Sequence, residues 1–178
     1  MKSVLISIQP YWVFLIIAKK MGWNIDIQKT IEIRKNYPKD ENWDKVSKIY
    51  CSKDKKSFSK IPKEYQPLME QFLGKVIGEF VCSNIAKGTA QFGSCLTMQE
   101  IAEYANNKEV YGWCISDLVI YDEPRELSEF KKAGFMTEGD WLAYLYPNTH
   151  CHYEAWAKKF EIERPPQSWC YVEERSEK

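Results

Sequence analysis

An acid and a base stand two residues apart in the stretch Lys29-Thr30-Ile31-Glu32-Ile33-Arg34, among β-branched neighbours. Successive side chains of a strand point to opposite faces, so Thr30, Glu32 and Arg34 share one face and Ile31 and Ile33 the other. The isoleucines then enter a core and the polar row lines whatever lies opposite. Against a cleft it is a recognition row. The Glu32 carboxylate accepts from an exocyclic amine, and Arg34 and Lys29 donate to a carbonyl or ring nitrogen. Against bulk water it is an ordinary solvated sheet face, where an exposed Glu32–Arg34 pair contributes only about 0 to 1 kcal/mol.

The elements that must hold this row are legible as short apolar runs. Strands are expected at Val4–Ile8, Lys29–Arg34, Lys48–Cys51, Lys75–Val81, Tyr111–Tyr121 and Ser168–Val172. Helices are expected at Tyr11–Met21, Thr97–Ala105 and Glu138–Leu145, with a fourth over Tyr153–Phe160. Pro10 and Gly22 bracket the first helix, and Thr97 with Glu100 three places on is a capping-box pattern. Thr137, followed by Glu138 and Asp140, reads as another helix start. Ser52 to Pro67, lysine-rich and with two prolines, reads as a mobile loop. Spaced short strands with few helices give an α+β chain: a small barrel or a strongly curved mixed sheet flanked by helices.

With 178 residues the chain suits one domain. Its formal net charge is zero, so a polyanion would have to be met by a local patch. Lys45 to Lys63 supplies one, with seven lysines against the single acid Asp54; Lys48, Lys53, Lys55, Lys56 and Lys60 are its candidate nucleic-acid contacts. Seven Trp, eleven Tyr and eight Phe mark a folded protein with many stacking surfaces. Six cysteines lie far apart with no CxxC pair, as in reduced, buried thiols. Three adjacent ligand-type residues, His150-Cys151-His152, do not readily converge on one ion, so no metal is expected. No Walker, GxGxxG or GxSxG pattern occurs, and no cofactor is expected. Met1 to Lys20 imitates a leader, but Gln9 and Pro10 interrupt it and no cleavage pattern follows. A strand turning into a helix, no membrane span and a cytoplasmic location are the expectation.

Several segments, taken in order, resemble an ASCH domain of the PUA-like superfamily. These are Val4-Leu-Ile-Ser-Ile-Gln-Pro-Tyr11, the Lys29 to Arg34 row, Lys75-Val-Ile-Gly-Glu-Phe80, Tyr111-Gly-Trp-Cys-Ile-Ser-Asp-Leu118 and Arg164-Pro-Pro-Gln-Ser-Trp-Cys-Tyr-Val172. The row is close to the family's GxKxxExR signature, although Ile27 and Gln28 stand where a glycine-containing turn is usual. The resemblance spans most of the chain. It implies one domain over residues 1–178, a five- or six-stranded β-barrel with helices over one opening, and an inserted helical segment around 122–164. It also implies a cleft between barrel and first helix, floored by Lys29, Glu32 and Arg34. Ser7 and Pro10 would stand at its entrance, and Ser168 and Trp169 would approach from the last strand. Trp113 and Trp169 are candidates for a stacking wall.

The first functional expectation is a binding module that recognises RNA or a modified nucleotide in that cleft. The second is an enzyme. One ASCH branch resembles an N4-acetylcytidine amidohydrolase that uses a Lys and a Thr of this signature plus a distant Glu; ribonuclease chemistry is the other enzymatic alternative. Here Lys29 matches the lysine, but Glu32 occupies the threonine position and removes the hydroxyl nucleophile. Thr30 and Glu79 are then the weak catalytic candidates beside Lys29. The third expectation is a phage or mobile-element protein that acts by binding a host protein.

Overall fold

Val4, Leu5, Ile6 and Ile8 leave no polar face, and the strand they form, β1 (Lys2–Ile8), is buried on both sides. In the computed structural model, which describes residues 2–88, 93–144 and 153–173, β1 runs parallel to β3 (Trp43–Cys51) and antiparallel to β7 (Trp169–Glu173). Pro10 ends the strand and occupies the first turn of helix α1 (Pro10–Ile17), where its missing N–H is no loss. Val13 to Ile17 are buried without a break, as in a helix enclosed on all sides.

The row of interest forms a short edge strand, β2 (Ile31–Arg34), followed in the chain by β3. The segment expected to be a mobile loop is folded instead. It holds helices α2 (Lys55–Phe58) and α3 (Gln66–Glu70), Asp54 caps α2 by accepting from the Ser57 N–H, and Ser57 and Ile61 are buried. The long strands β4 (Val76–Lys87) and β5 (Tyr111–Arg125) flank helix α4 (Met98–Ala105), which begins in the Thr97–Glu100 capping box and ends at left-handed Asn106. Among the described residues, a two-residue strand β6 (Lys131–Lys132), helices α5 (Glu138–Tyr144) and α6 (Tyr153–Ala157) and two short 3-10 turns lie between β5 and β7. Trp141 and Phe160 pack on Trp156 there, at 4.4 and 4.6 Å between ring centroids.

The seven strands run in the order β2-β5-β4-β3-β1-β7-β6. This is an open sheet, and the expected closed barrel is corrected. Three register shifts between β4 and β5 sharpen the local twist and curl the sheet. The curl brings β2 back towards β1 and β7, but side chains rather than a backbone ladder make the contact. Arg34 Nη2 donates to the Ser7 carbonyl at 2.6 Å, and the Trp169 indole N–H donates to Asn36 Oδ1 at 2.8 Å. Four residues of β2 and two of β6 form the short edges of the sheet.

The main core fills the concave face, with Ile6, Phe14, Phe80 and Trp113 at 0–2% exposure. A smaller cluster around Leu5, Phe130, Ile162 and Val172 covers the convex face, and Ile33, Ile101 and Val110 seat α4 against β2. Among the described residues no helix is long and apolar enough to cross a membrane.

Gly78 lies close against β5, where an added Cβ would stand 2.2 Å from the Val119 carbonyl oxygen. Gly78→Ala must therefore spread β4 and β5. Urea denaturation should read a loss of about 1 to 3 kcal/mol, the usual range for overpacking, and an unchanged midpoint would contradict this packing.

Candidate functional site

Lys29 lies just before β2, and α1 fixes its backbone, since the Lys29 N–H donates to the Leu15 carbonyl at 3.1 Å. Its side chain is 2% exposed. Nζ donates to the Ser94 carbonyl at 2.6 Å, lies 5.0 Å from the Trp12 ring centre, and stands 3.4 Å from Glu32 Oε2. Arg34 Nη2 lies 2.9 Å from Glu32 Oε1 and reaches Ser7 as described. The carboxylate thus sits between two cations, all three side chains being about a tenth exposed or less. A hydrogen bond to a backbone carbonyl steadies each cation, which offsets part of the desolvation cost.

The start of β2 is clamped by the turn that carries Ser94. The N–H groups of Thr30 and Ile31 both donate to the Gly93 carbonyl, at 2.7 and 2.9 Å. Gly93 has φ +90°, and a Cβ there would meet Thr30 Oγ1 at 2.2 Å. Only glycine allows this approach.

Beside the charged row opens a cleft of about 580 Å³ between β2, α1, α4 and the segment Pro165 to Ser168. Ser7, Lys29, Glu32, Arg34 and Ser168 line it together. Sequence reasoning missed Trp12 and Tyr104, which also line it. In an apolar helix a tryptophan reads as core, and nothing local separates Tyr104 from an ordinary surface tyrosine. Burial pushes the Tyr104 phenol above its ordinary value, with Arg34 opposing and Glu32 reinforcing, so it remains a donor at neutral pH.

Other candidates lie elsewhere. Thr30 is exposed and off the cleft: β2 begins only at Ile31, and the Thr30 backbone is tied to the Gly93 carbonyl. Trp113 is fully buried in the main core, its indole N–H given to the Asn36 carbonyl, and so is no stacking wall. Trp169 packs on Trp113 at 6.0 Å and also lies outside the lining. Glu79 stands opposite Lys48 in the β3–β4 register, whereas Glu32 stands opposite Trp113. Cross-strand partners share a face, so the two glutamates lie on opposite faces of the sheet. Glu79 accepts from Lys48 Nζ at 2.8 Å and from the Tyr121 hydroxyl at 2.7 Å. Lys48, 2% exposed, therefore leaves the basic patch; Lys53, Lys55, Lys56 and Lys60 remain exposed around α2.

Among the described residues no group of three His, Cys, Asp or Glu side chains is placed to hold a metal, and His150-Cys151-His152 falls outside them. Burial pushes the Cys51 thiol up to about 12 and those of Cys82 and Cys170 to about 11, which makes them poor nucleophiles.

Glu32→Ala would leave two buried cations without their carboxylate, and chemical denaturation should read a loss of about 3 to 5 kcal/mol. A loss below 1 kcal/mol would mean the row is solvated. On the other face, burial raises the Glu79 carboxyl, but the hydrogen bonds from Lys48 and Tyr121 outweigh it and hold the pKa below 4.5. A depressed folded value stabilises above the unfolded pKa, and that stability is lost as pH falls through the folded one. Glu79→Gln should therefore be less stable than the parent at neutral pH and converge with it in acid. Parallel stability curves across that window would contradict the assignment.

No family model matches the sequence, and no curated relative matches it. Solved structures do. Crystal structures of the ASCH protein of Zymomonas mobilis match at TM-score 0.52 for a tyrosine-to-phenylalanine mutant and 0.52 for a serine-to-alanine mutant, each 16% identical. The first pairing covers 98% of this chain and 92% of the other, the second 97% and 89%. The protein without those substitutions matches at TM-score 0.51 and 17% identity over 98% of this chain and 89% of its own. At this identity the likeness is one of fold: over nearly its whole length the chain shares the fold of the Zymomonas mobilis ASCH protein, an α+β architecture built here on an open sheet.

Proposed function

We propose that the cleft binds the base of an RNA nucleotide, plain or modified, with Lys29, Glu32 and Arg34 reading its polar edge and Trp12 supplying an aromatic surface. The observation that carries this reading is a set of unmet hydrogen bonds. Arg34 Nε and Ser52 Oγ are buried atoms of cleft-lining residues with no hydrogen-bond partner, and buried Glu32 Oε2 has only the Lys29 ammonium, 3.4 Å away. Buried polar groups are nearly always satisfied, so a cluster of exceptions beside a cavity fits a ligand that completes them.

The charge of the lining favours a base over a phosphate. Lys29 and Arg34 contribute two positive charges; Glu32, Asp54 and Glu100 contribute three negative ones. A flat, neutral heterocycle with donors and acceptors on its edge meets such a lining without an electrostatic penalty, and aromatic faces suit it. The amidohydrolase alternative loses its proposed nucleophile and distant acid, since Thr30 and Glu79 lie away from Lys29's cleft.

Titrating labelled single-stranded RNA and free nucleosides against the parent protein, Trp12→Ala and Arg34→Lys tests the reading. Stacking contributes about 1 to 3 kcal/mol per base, so Trp12→Ala should weaken binding by about 5- to 150-fold. Arg34→Lys keeps the charge but loses the planar fork and should weaken binding as well. Equal affinity for all three proteins would remove the cleft from RNA recognition.

A further inference from the structure

A second recess begins where the cleft ends. Pro165 and Pro166 line the cleft, while Arg164, the preceding residue, lines a separate groove of about 400 Å³ together with Lys132, Lys158 and Lys159. Consecutive Cα atoms are about 3.8 Å apart, so the two recesses meet within one residue.

The groove is held by the fold. Its walls are β6 and the chain from Lys158 to Arg164, joined by an isolated antiparallel bridge between Lys131 and Glu161. Ile162 anchors the second wall in the convex-face core, Phe160 packs on Phe135, and Lys132 Nζ donates to the Lys159 carbonyl at 3.4 Å. Two carboxylates also line it. Lys131 lies 3.6 Å from Glu161, leaving Glu163 against four cations. Among the described residues Lys158, Lys159 and Arg164 have no ion-pair partner, and all three are exposed.

The two exits from the cleft differ in charge. Asp54 and Glu100 stand on the α2 and α4 side, whereas the lining residues from Pro165 to Ser168 carry no charge. A phosphate chain attached to a base in the cleft meets two carboxylates at the first exit before it can reach the lysines around α2, and no charge at the second before it reaches the groove. We infer that a single-stranded RNA whose base occupies the cleft passes over Pro165 and Pro166 and lays its phosphates in the groove formed by Lys132, Lys158, Lys159 and Arg164. This rests on the reading that the cleft holds a base. It assigns the backbone to this groove rather than to the lysines around α2.

The test is a salt titration with a labelled mixed-sequence RNA about ten nucleotides long, within the span one small fold covers. Each cation in contact with a single strand contributes about −0.7 to the log–log salt slope. Lys158→Gln/Lys159→Gln/Arg164→Gln should therefore flatten the slope by about 2, and Arg164→Gln alone by about 0.7. Lys55→Gln/Lys56→Gln/Lys60→Gln should leave the slope as it is. Circular dichroism melts verify that each variant keeps the parent fold. Nucleoside binding, followed by tryptophan fluorescence, should be unchanged in the groove variants, because it reports the cleft alone. An unchanged slope in both groove variants, or flattening by the α2 variant instead, would overturn the path while leaving the cleft reading intact. Undiminished binding by Trp12→Ala with a flattened slope in the groove variants would sink the cleft reading and the path that begins from it. No binding of RNA by the parent protein at low salt would overturn both.

Discussion

Two cations and one carboxylate are held almost out of water at the edge of the sheet, and the rest of the site depends on how that is tolerated. Removing an ion from water costs several kcal/mol even after relaxation, and a partner charge alone seldom recovers it. Here the fold adds specific acceptors. The Ser94 carbonyl meets Lys29 and the Ser7 carbonyl meets Arg34, one from the turn before α4 and one from the centre of the sheet. The same requirement explains the curl, because an edge strand on a flat sheet could not reach β1. Register shifts in β4 and β5 bend the sheet until it does, and the arginine closes the gap that no backbone ladder spans.

That closure by side chain has a functional consequence. A barrel sealed by hydrogen-bonded strands would have filled the seam with packed backbone. In this chain the seam between β2 and β1 stays open on the side of α1 and α4, and the cleft is that seam. The second ion cluster, Lys48 with Glu79 and Tyr121, sits on the convex face, where Phe130 lies 6.0 Å from the lysine ammonium. It ties β3, β4 and β5 across three neighbouring strands. One cluster borders a cavity and the other borders a hydrophobic cluster, which is why the first suits recognition and the second cohesion.

Local patterns carried much of this into the sequence. Glu32 and Arg34 alternate with isoleucines that pack on or near the α4 cluster, and the capping box at Thr97 forms as its residue types imply. Both features need only near neighbours along the chain. What failed needed distant ones. Lys48 looked like one more lysine in a basic run until its β3 position placed it opposite Glu79, thirty-one residues away. Thr30 shared the strand alternation on paper, but the clamp at Gly93 starts the strand one residue later. For the same reason Trp113, a candidate stacking wall by sequence, lies in the core, while Trp12 lines the cleft. Whether an aromatic faces core or cleft is decided by what packs opposite, and the local pattern around either residue carries no such information.

The balance of charge in the cleft then limits what it can hold. Coulomb attraction between exposed groups is weak beyond about 8 Å at physiological ionic strength, so the neutral molecule as a whole gives little guidance. Local balances decide instead. With three carboxylates against two cations the lining disfavours a dianionic group at its floor, although each cation alone would attract one. Arg34 and Glu32 largely spend their charge on each other, and what they still offer a ligand is direction: a donor and an acceptor held by neighbours at fixed positions. A site of that kind discriminates through unmet hydrogen bonds more than through net charge, because an incoming edge that fails to match leaves buried polar atoms unsatisfied at about 1 to 3 kcal/mol each.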